Sequence, residues 1–241
     1  MPMLTSSSRF SPRTLILLIA LGALAGLGLF LYITLNGRHG RDAKVWAFIL
    51  NPRAHQDQTV EARSRCGEAP YLMPTSGLIG YIWDDSFHPG HRHQGLDIFG
   101  GTEAGVTPVY AAASGYLTRL SGWAGSLIIR IPNDELNPGS QVWNYYTHLA
   151  DAAGNSFIEP RFYPGIFEEY VEAGTLLGYQ GNFSGDPNNP VGVHLHFSIV
   201  QDDGLGNFTN ELEIGNTLDP SPYFGMEMNA TRNPDELPTC E

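Results

Sequence analysis

The chain has 241 residues, of which 42% are hydrophobic, with 28 glycines, 17 prolines and a formal net charge of −12. This length fits one sizeable domain with appendages, and the glycine and proline content indicates a turn-rich, mainly β body. From Cys66 to Glu241, 5 arginines, no lysine and 22 acidic residues give a net charge of −17. Because so acidic a domain would repel phosphate backbones, we expect no nucleic-acid partner.

The first predicted element is a transmembrane helix at residues 14–35, a run of 22 residues without a charge. It would follow a short cytoplasmic tail at residues 1–13. A cleaved secretory signal peptide is the alternative, but its apolar core is usually shorter, and the end of this run makes a poor cleavage site. In either case the chain is addressed to a membrane.

The next predicted segment is a polar juxtamembrane linker at residues 36–65. The apolar stretch at 45–50 within it can either lie at the membrane interface or pack on the domain. The predicted domain covers residues 66–225, and an irregular C-terminal tail covers 226–241. A disulfide between Cys66 and Cys240 would join the two ends of this part if it lies outside the cytoplasm; two unpaired cysteines are the alternative.

Within the domain, the pattern predicts short strands separated by glycine-bearing turns. In chain order, these strands cover residues 109–113, 116–120, 126–131, 141–146, 175–179 and 194–200. The first two flank Ser114-Gly115 and are predicted to pair as a hairpin, and the next two are predicted to pair across a turn-rich segment. One short helix is predicted at residues 166–171. The predicted fold class is therefore mainly β, an antiparallel sheet.

Two short motifs contain the candidate metal ligands. His194 and His196 stand two positions apart on a predicted strand, so both imidazoles project from one face. The opposite face would carry an apolar row: Leu195, Phe197 and Ile199. His93 and Asp97 lie on either side of Gly95, which permits a tight turn that brings the two side chains together. A catalytic zinc takes three such ligands and leaves a position for water, so one histidine would remain as a general base.

These motifs and several others resemble the lysostaphin-type zinc metallopeptidases, a family that includes LytM-like endopeptidases of bacterial cell walls. The resemblance covers residues 73–225 in the family's order. The matching stretches are His93-x-Gly95-x-Asp97, residues 107–112, Tyr146-x-His148-Leu149, residues 173–181, His194-Leu195-His196-Phe197 and residues 218–223. The resemblance implies an antiparallel sheet whose groove holds the metal at its floor.

The resemblance also implies a role for each site residue. Three side chains would bind Zn2+: His93, Asp97 and His196. His194 would be the general base that takes a proton from the zinc-bound water, and His148 would orient this water or stabilise the charged intermediate. His91, two positions before His93, is an alternative ligand, but its spacing to Asp97 does not match the family.

The implied function is that of a single-pass membrane protein with its zinc endopeptidase domain outside the cytoplasm, hydrolysing peptide cross-links of peptidoglycan. The partners would be the peptidoglycan peptide and the membrane, and the sequence does not identify a regulatory protein. Residues 150–172 and 182–193 are longer than the family's usual links, and we expect them to border the groove. One alternative is a non-catalytic wall-binding or amidase-regulating module of the same fold. Another is a non-haem iron oxygenase, since two histidines and a carboxylate also describe its iron site.

Overall fold

The computed structural model describes residues 22, 24, 26, 27, 40–86 and 90–240. The chain divides into two compact units, residues 1–39 and 40–241, and the fold given below is that of the second unit. The predicted tail at 1–13 and most of the predicted transmembrane helix at 14–35 lie outside the described residues. Within the part that is described, no helix combines the length and the apolar character needed to cross a membrane.

The second unit is built on an antiparallel β-sheet, as predicted. Its strands are β1 (Leu78–Tyr81), β2 (Leu96–Phe99), β3 (Pro108–Tyr110), β4 (Gly115–Thr118), β5 (Leu127–Ile131), β6 (Val142–Thr147), β7 (Glu169–Val171), β8 (Leu176–Tyr179), β9 (Leu195–Gln201) and β10 (Thr217–Leu218). The main sheet has the order β1-β2-β9-β6-β5-β4-β7, and β10 pairs with the far end of β9. Strands β3 and β8 form a separate two-stranded sheet.

Two short helical segments precede β1 in the chain, one lies between β9 and β10, and one follows β10. They are α1 (Arg41–Leu50), α2 (Ser221–Phe224) and the 3-10 segments Pro52–Gln58 and Ile214–Asn216. In α1 the buried positions Arg41, Val45 and Phe48 share one face, as a helical period requires. This helix packs against β1, so the apolar stretch at residues 45–50 lies on the compact unit.

The central strand β9 separates the core from the candidate site. Its residues Leu195, Phe197 and Ile199 are fully buried in the hydrophobic core, as the alternation predicts. The intervening residues of β9 project from the opposite face. Because β6 pairs with β9 from Val142 opposite Gln201 to Thr147 opposite His196, the strand is held firmly along its length.

Two secondary-structure predictions are wrong. The hairpin over residues 109–120 does not form, because β3 pairs with β8 while β4 pairs with β5 and β7. Gly115 is not a turn residue but lies inside β4, where a Cβ atom would come within 2.3 Å of the Arg130 carbonyl oxygen. The predicted helix at 166–171 is replaced by β7, an edge strand in which Tyr170 packs against Tyr116 with ring centroids 5.6 Å apart. The second predicted hairpin is β5–β6 and is confirmed.

The two cysteines form a disulfide between Cys66 and Cys240, with their Cα atoms 5.5 Å apart. The bridge joins residues separated by 174 positions. It therefore ties the end of the C-terminal tail to the start of the predicted domain, and the alternative of two unpaired thiols is excluded.

Candidate metal centre

The candidate metal centre is positioned by the pairing of β2 with β9. In this register Asp97 lies opposite His196, so both side chains project from the same face of the sheet. His93 precedes β2, and two hydrogen bonds to its main-chain groups hold it in place. Its N–H donates to the Asp85 carbonyl oxygen at 2.8 Å, and its carbonyl oxygen accepts from the Asp84 N–H at 2.8 Å.

Gly95 does not form the tight turn that the sequence predicted. Its φ is not in the left-handed region, so no special turn requires glycine there. Instead, a Cβ atom at this position would lie 2.1 Å from the main-chain oxygen of Phe197 on β9. Glycine therefore allows β2 and β9 to approach closely, and this approach brings Asp97 and His196 together.

Three ligand atoms converge on one point. The Nε2 atom of His93 lies 3.1 Å from Oδ1 of Asp97 and 3.0 Å from Nδ1 of His196. The same Asp97 oxygen lies 2.9 Å from Nδ1 of His196, which closes the triangle. Ligands at about 2.0–2.1 Å from a tetrahedral zinc ion lie about 3.3 Å apart, so a small outward movement would accommodate the ion. These three residues are the one such cluster found among the described residues.

Neighbouring groups orient the ligands. The Nδ1–H of His93 can donate to the carbonyl oxygen of Ile82, 3.0 Å away, which directs Nε2 towards the cluster. His93 and Asp97 are buried, whereas His196 is partly exposed. The donor set of two imidazoles and one carboxylate is therefore preformed and mostly buried, with His196 as its most exposed member, and it fits a catalytic zinc ion.

His194 and His148 lie beside this triangle without belonging to it. The Nε2 atom of His194 is 3.5 Å from Oδ1 of Asp97. The imidazole rings of His194 and His148 have centroids 4.5 Å apart. Each ring places Nδ1 at 2.7 Å from a main-chain carbonyl oxygen, that of Gly192 for His194 and that of Phe183 for His148. When Nδ1–H donates to these carbonyls, both Nε2 atoms carry a lone pair that can accept a proton.

The backbone of His148 is in an uncommon conformation. Its φ is 70°, in the left-handed region that non-glycine residues seldom adopt. Such conformations cost about 1–3 kcal/mol and are concentrated at functional sites. The surrounding structure holds His148 in place, with its ring against His194.

The protonation of the site follows from its charges. Burial alone would raise the pKa of Asp97, but the adjacent His93 and His194 hold it well below the ordinary value, so the carboxylate is ionised. Burial lowers the pKa of His148 to about 3, with a further contribution from His194 and His196. Burial also opposes protonation of His194, but the Asp97 carboxylate outweighs it and raises the pKa of that imidazole.

The structure thus brings together all five residues selected from the sequence. The alternative ligand His91 stacks beside His93 with ring centroids 6.4 Å apart, outside the ligand triangle. The segment at 182–193 borders the site, as expected, since it contributes both carbonyl oxygens that orient the imidazoles. Phe99, whose ring stacks on His194 at 5.1 Å, was missed. Its position two residues after Asp97 on β2 was the available signal.

A scan against protein-family models found no match, and a search of curated proteins found none either. Solved structures that the chain matches include the antimicrobial peptidase lysostaphin from Staphylococcus simulans, at 24% identity and a TM-score of 0.41 over 62% of this chain and 49% of that one. An M23 peptidase from Pseudomonas aeruginosa matches at 18% identity and a TM-score of 0.38 over 75% and 60%. The catalytic domain of the prophage-encoded M23 protein EnpA from Enterococcus faecalis matches at 17% identity and 0.37 over 64% and 98%.

These neighbours belong to the lysostaphin and M23 peptidases, the family that the sequence motifs resemble. The likeness concerns the fold. The chain spans about half the length of the lysostaphin chain that it matches and 60% of the Pseudomonas one.

Proposed function

We propose that this chain is a zinc-dependent endopeptidase, anchored in the cell membrane, that hydrolyses peptide cross-links of bacterial peptidoglycan outside the cytoplasm. The observation that carries the proposal is the ligand triangle of His93, Asp97 and His196, with the imidazoles of His194 and His148 beside it. The sequence motifs that resemble lysostaphin-type peptidases give the substrate class. The anchor rests on the uncharged run at residues 14–35.

A zinc ion held by the triangle would lower the pKa of a bound water to about 7 and polarise the scissile carbonyl. His194 then accepts the proton of the attacking water at Nε2, because its Nδ1–H is directed to the Gly192 carbonyl. His148 accepts the second hydrogen bond of the same water and so orients it. When the peptide bond breaks, the proton held by His194 passes to the departing amine.

The disulfide supports the location of the domain. Bridges such as Cys66–Cys240 persist in oxidising compartments outside the cytoplasm and are rare within it. Peptidoglycan is assembled in the same compartment, so an anchored domain would meet its substrate there. The two segments at 150–172 and 182–193 would flank an extended peptide lying in the groove.

The proposal is tested with the full-length protein purified in detergent. We expect one zinc ion per chain and peptide-bond cleavage in isolated peptidoglycan, with the products identified by mass. Asp97→Ala should lose both zinc and cleavage, whereas His55→Ala, which alters a histidine of the 3-10 segment Pro52–Gln58, should lose neither. Full cleavage by Asp97→Ala would overturn the mechanism. A zinc-loaded protein without turnover would favour the non-catalytic wall-binding module, and stoichiometric iron with oxygen dependence would favour the oxygenase.

A further inference from the structure

The helix α1 packs beside the metal centre, on the face of the sheet that carries it. Val45 and Phe48 of α1 form one buried cluster with Leu78 of β1 and Phe99 of β2. Leu78 and Phe99 are directly opposed in the β1–β2 pairing. Phe99 also shares the face of Asp97, two positions earlier on the same strand. The sequence interval predicted as a linker therefore contributes one wall of the site.

Phe99 connects this wall to His194. Its ring stacks on the imidazole with ring centroids 5.1 Å apart and an interplanar angle of 28°. Space behind the ring is limited, since a Cβ atom on Gly80 would lie 2.7 Å from the Phe99 ring and 2.9 Å from Val45. Phe99 is only 6% exposed. The imidazole of His194 is thus held between the Gly192 carbonyl at Nδ1 and a ring that α1 holds in place.

A second connection runs from α1 to the ligand His93. Arg41 is 3% exposed, and its guanidinium donates to Oδ2 of Asp85 at 2.7 and 3.2 Å. The same guanidinium donates to the carbonyl oxygen of Asn233 at 2.7 Å. The main-chain oxygen of Asp85 accepts the N–H of His93. An ion pair between the buried Arg41 and the half-buried Asp85 therefore holds the residue whose backbone accepts the N–H of the first proposed metal ligand.

We propose that α1 positions two histidines of the catalytic site, with Phe99 and Arg41 as positioning residues. Phe99 transmits the packing of α1 to the general base His194, and Arg41 transmits it through Asp85 to the metal ligand His93. The inference rests on the proposed function and deepens it. A catalytic imidazole displaced by about 1 Å can cost about a hundredfold in rate, so packing behind the ring has a direct kinetic consequence.

The first experiment separates positioning from mere stability. We expect Phe99→Leu to lower kcat on peptidoglycan fragments by about 10- to 100-fold with little change in KM. Phe99→Tyr keeps an aromatic ring over the imidazole and should restore most of the rate. The matched control is Phe224→Leu, which removes a ring of similar burial from the core on the opposite face. It should lower the melting temperature comparably and leave kcat unchanged.

The second experiment does not depend on turnover. In the metal-free protein, the stacked Phe99 ring should shift the ring-proton resonances of His194 upfield, and Phe99→Leu should remove this shift. Arg41→Met should weaken zinc binding by about tenfold, as expected when a group that orients a ligand is lost. Its control is Lys44→Met, which removes the more exposed ion pair between α1 and Glu236. This variant should change neither the zinc affinity nor the His194 resonances.

The proposal is overturned if Phe99→Leu leaves both kcat and the His194 resonances unchanged while stability falls as in Phe224→Leu. It is also overturned if Arg41→Met and Lys44→Met bind zinc equally well. If the wild-type protein shows no peptidase turnover, the proposed function fails, yet the resonance and zinc measurements still decide whether α1 positions the two histidines.

Discussion

The imidazole rings of His148 and His194 pack against each other, with centroids 4.5 Å apart and an interplanar angle of 55°. Each is held at Nδ1 by a carbonyl oxygen of one loop, at Phe183 and Gly192. This relationship leaves two Nε2 lone pairs beside the ligand triangle, enough to accept both hydrogens of one water molecule. The loop therefore sets the tautomer of both side chains.

His194→Ala and His148→Ala should each lower kcat while zinc stays bound. Loss of a general base costs about 10²- to 10⁴-fold, and we expect the larger loss at His194 because its Nε2 atom lies near Asp97. Because the two imidazoles act on one water, the double variant should be little worse than His194→Ala. Steady-state kinetics together with zinc analysis check this. Multiplicative losses in the double variant would show that the residues act independently.

Gly95→Ala should damage the metal site through the sheet. The added Cβ atom would lie 2.1 Å from a main-chain oxygen of β9, so β2 and β9 must separate. We expect a loss of about 3 kcal/mol in unfolding free energy together with weaker zinc binding. Denaturant unfolding and metal titration measure the two effects. Gly122→Ala is the control, since an added Cβ there meets nothing within 4 Å; equal behaviour of the two variants would contradict the close-approach argument.

Replacing Cys66 and Cys240 together by serine should destabilise the unit without altering the site. The bridge closes an interval of 174 positions, for which the chain-entropy estimate is about 5 kcal/mol at most. Thermal unfolding of the variant should match that of the reduced wild-type protein. The zinc affinity should be retained, because the three ligands lie on or next to β2 and β9, whereas Cys66 and Cys240 lie outside both strands. A loss of zinc binding alone, at unchanged stability, would be the contrary result.

Asp219 should give the protein part of its sensitivity to acid. Burial alone would raise its pKa, but hydrogen bonds from Asn229, Ser221 and Arg232 outweigh it and lower the pKa. A depressed pKa in the folded state stabilises the fold fully above the unfolded value of about 3.9. This contribution is lost as the pH falls through the lower, folded-state value.

Asp219→Asn should therefore lower the unfolding free energy at pH 7 by about 1.5–3 kcal/mol, the usual range for hydrogen bonds to a charged group. The difference from the wild type should begin to shrink as the pH falls below about 4, where the carboxyl of the unfolded chain becomes protonated, and should go on shrinking as the pH falls through the lower pKa of the folded state. Unfolding curves between pH 7 and pH 2 measure it. The exposed Glu103 provides the control substitution Glu103→Gln, which should leave the unfolding free energy at pH 7 nearly unchanged.

The site could be predicted from the sequence because its residues occupy short motifs with local geometry. His194 and His196 share a face through the period of a strand, and the same period places Leu195 and Phe197 in the core. The resemblance supplied the connection between these motifs and His93, which spacing alone does not provide. The described residues then place the ligand atoms of the triangle about 3 Å from one another.

The errors fall where pairing is decided by distant parts of the chain. Ser114-Gly115 has the composition of a hairpin turn, but Gly115 is needed for close contact between β4 and β5. The residues around Tyr170 show no strand alternation long enough to recognise, since an edge strand of three residues is defined by its partner. The role of Arg41 depends on Asp85, 44 positions away, and no local pattern reports such a contact.

Strand β9 is paired on both sides, with β6 along one edge and with β2 and β10 along the other. A strand enclosed in this way opens only when the whole sheet opens, so its amide protons belong to the slowest class of hydrogen exchange. The main chain beside His196 therefore keeps its position whether or not a cation is bound. If a cation binds there as proposed, its exchange requires side-chain movement alone, so a chelator should empty the site, and added zinc should refill it, without unfolding the protein.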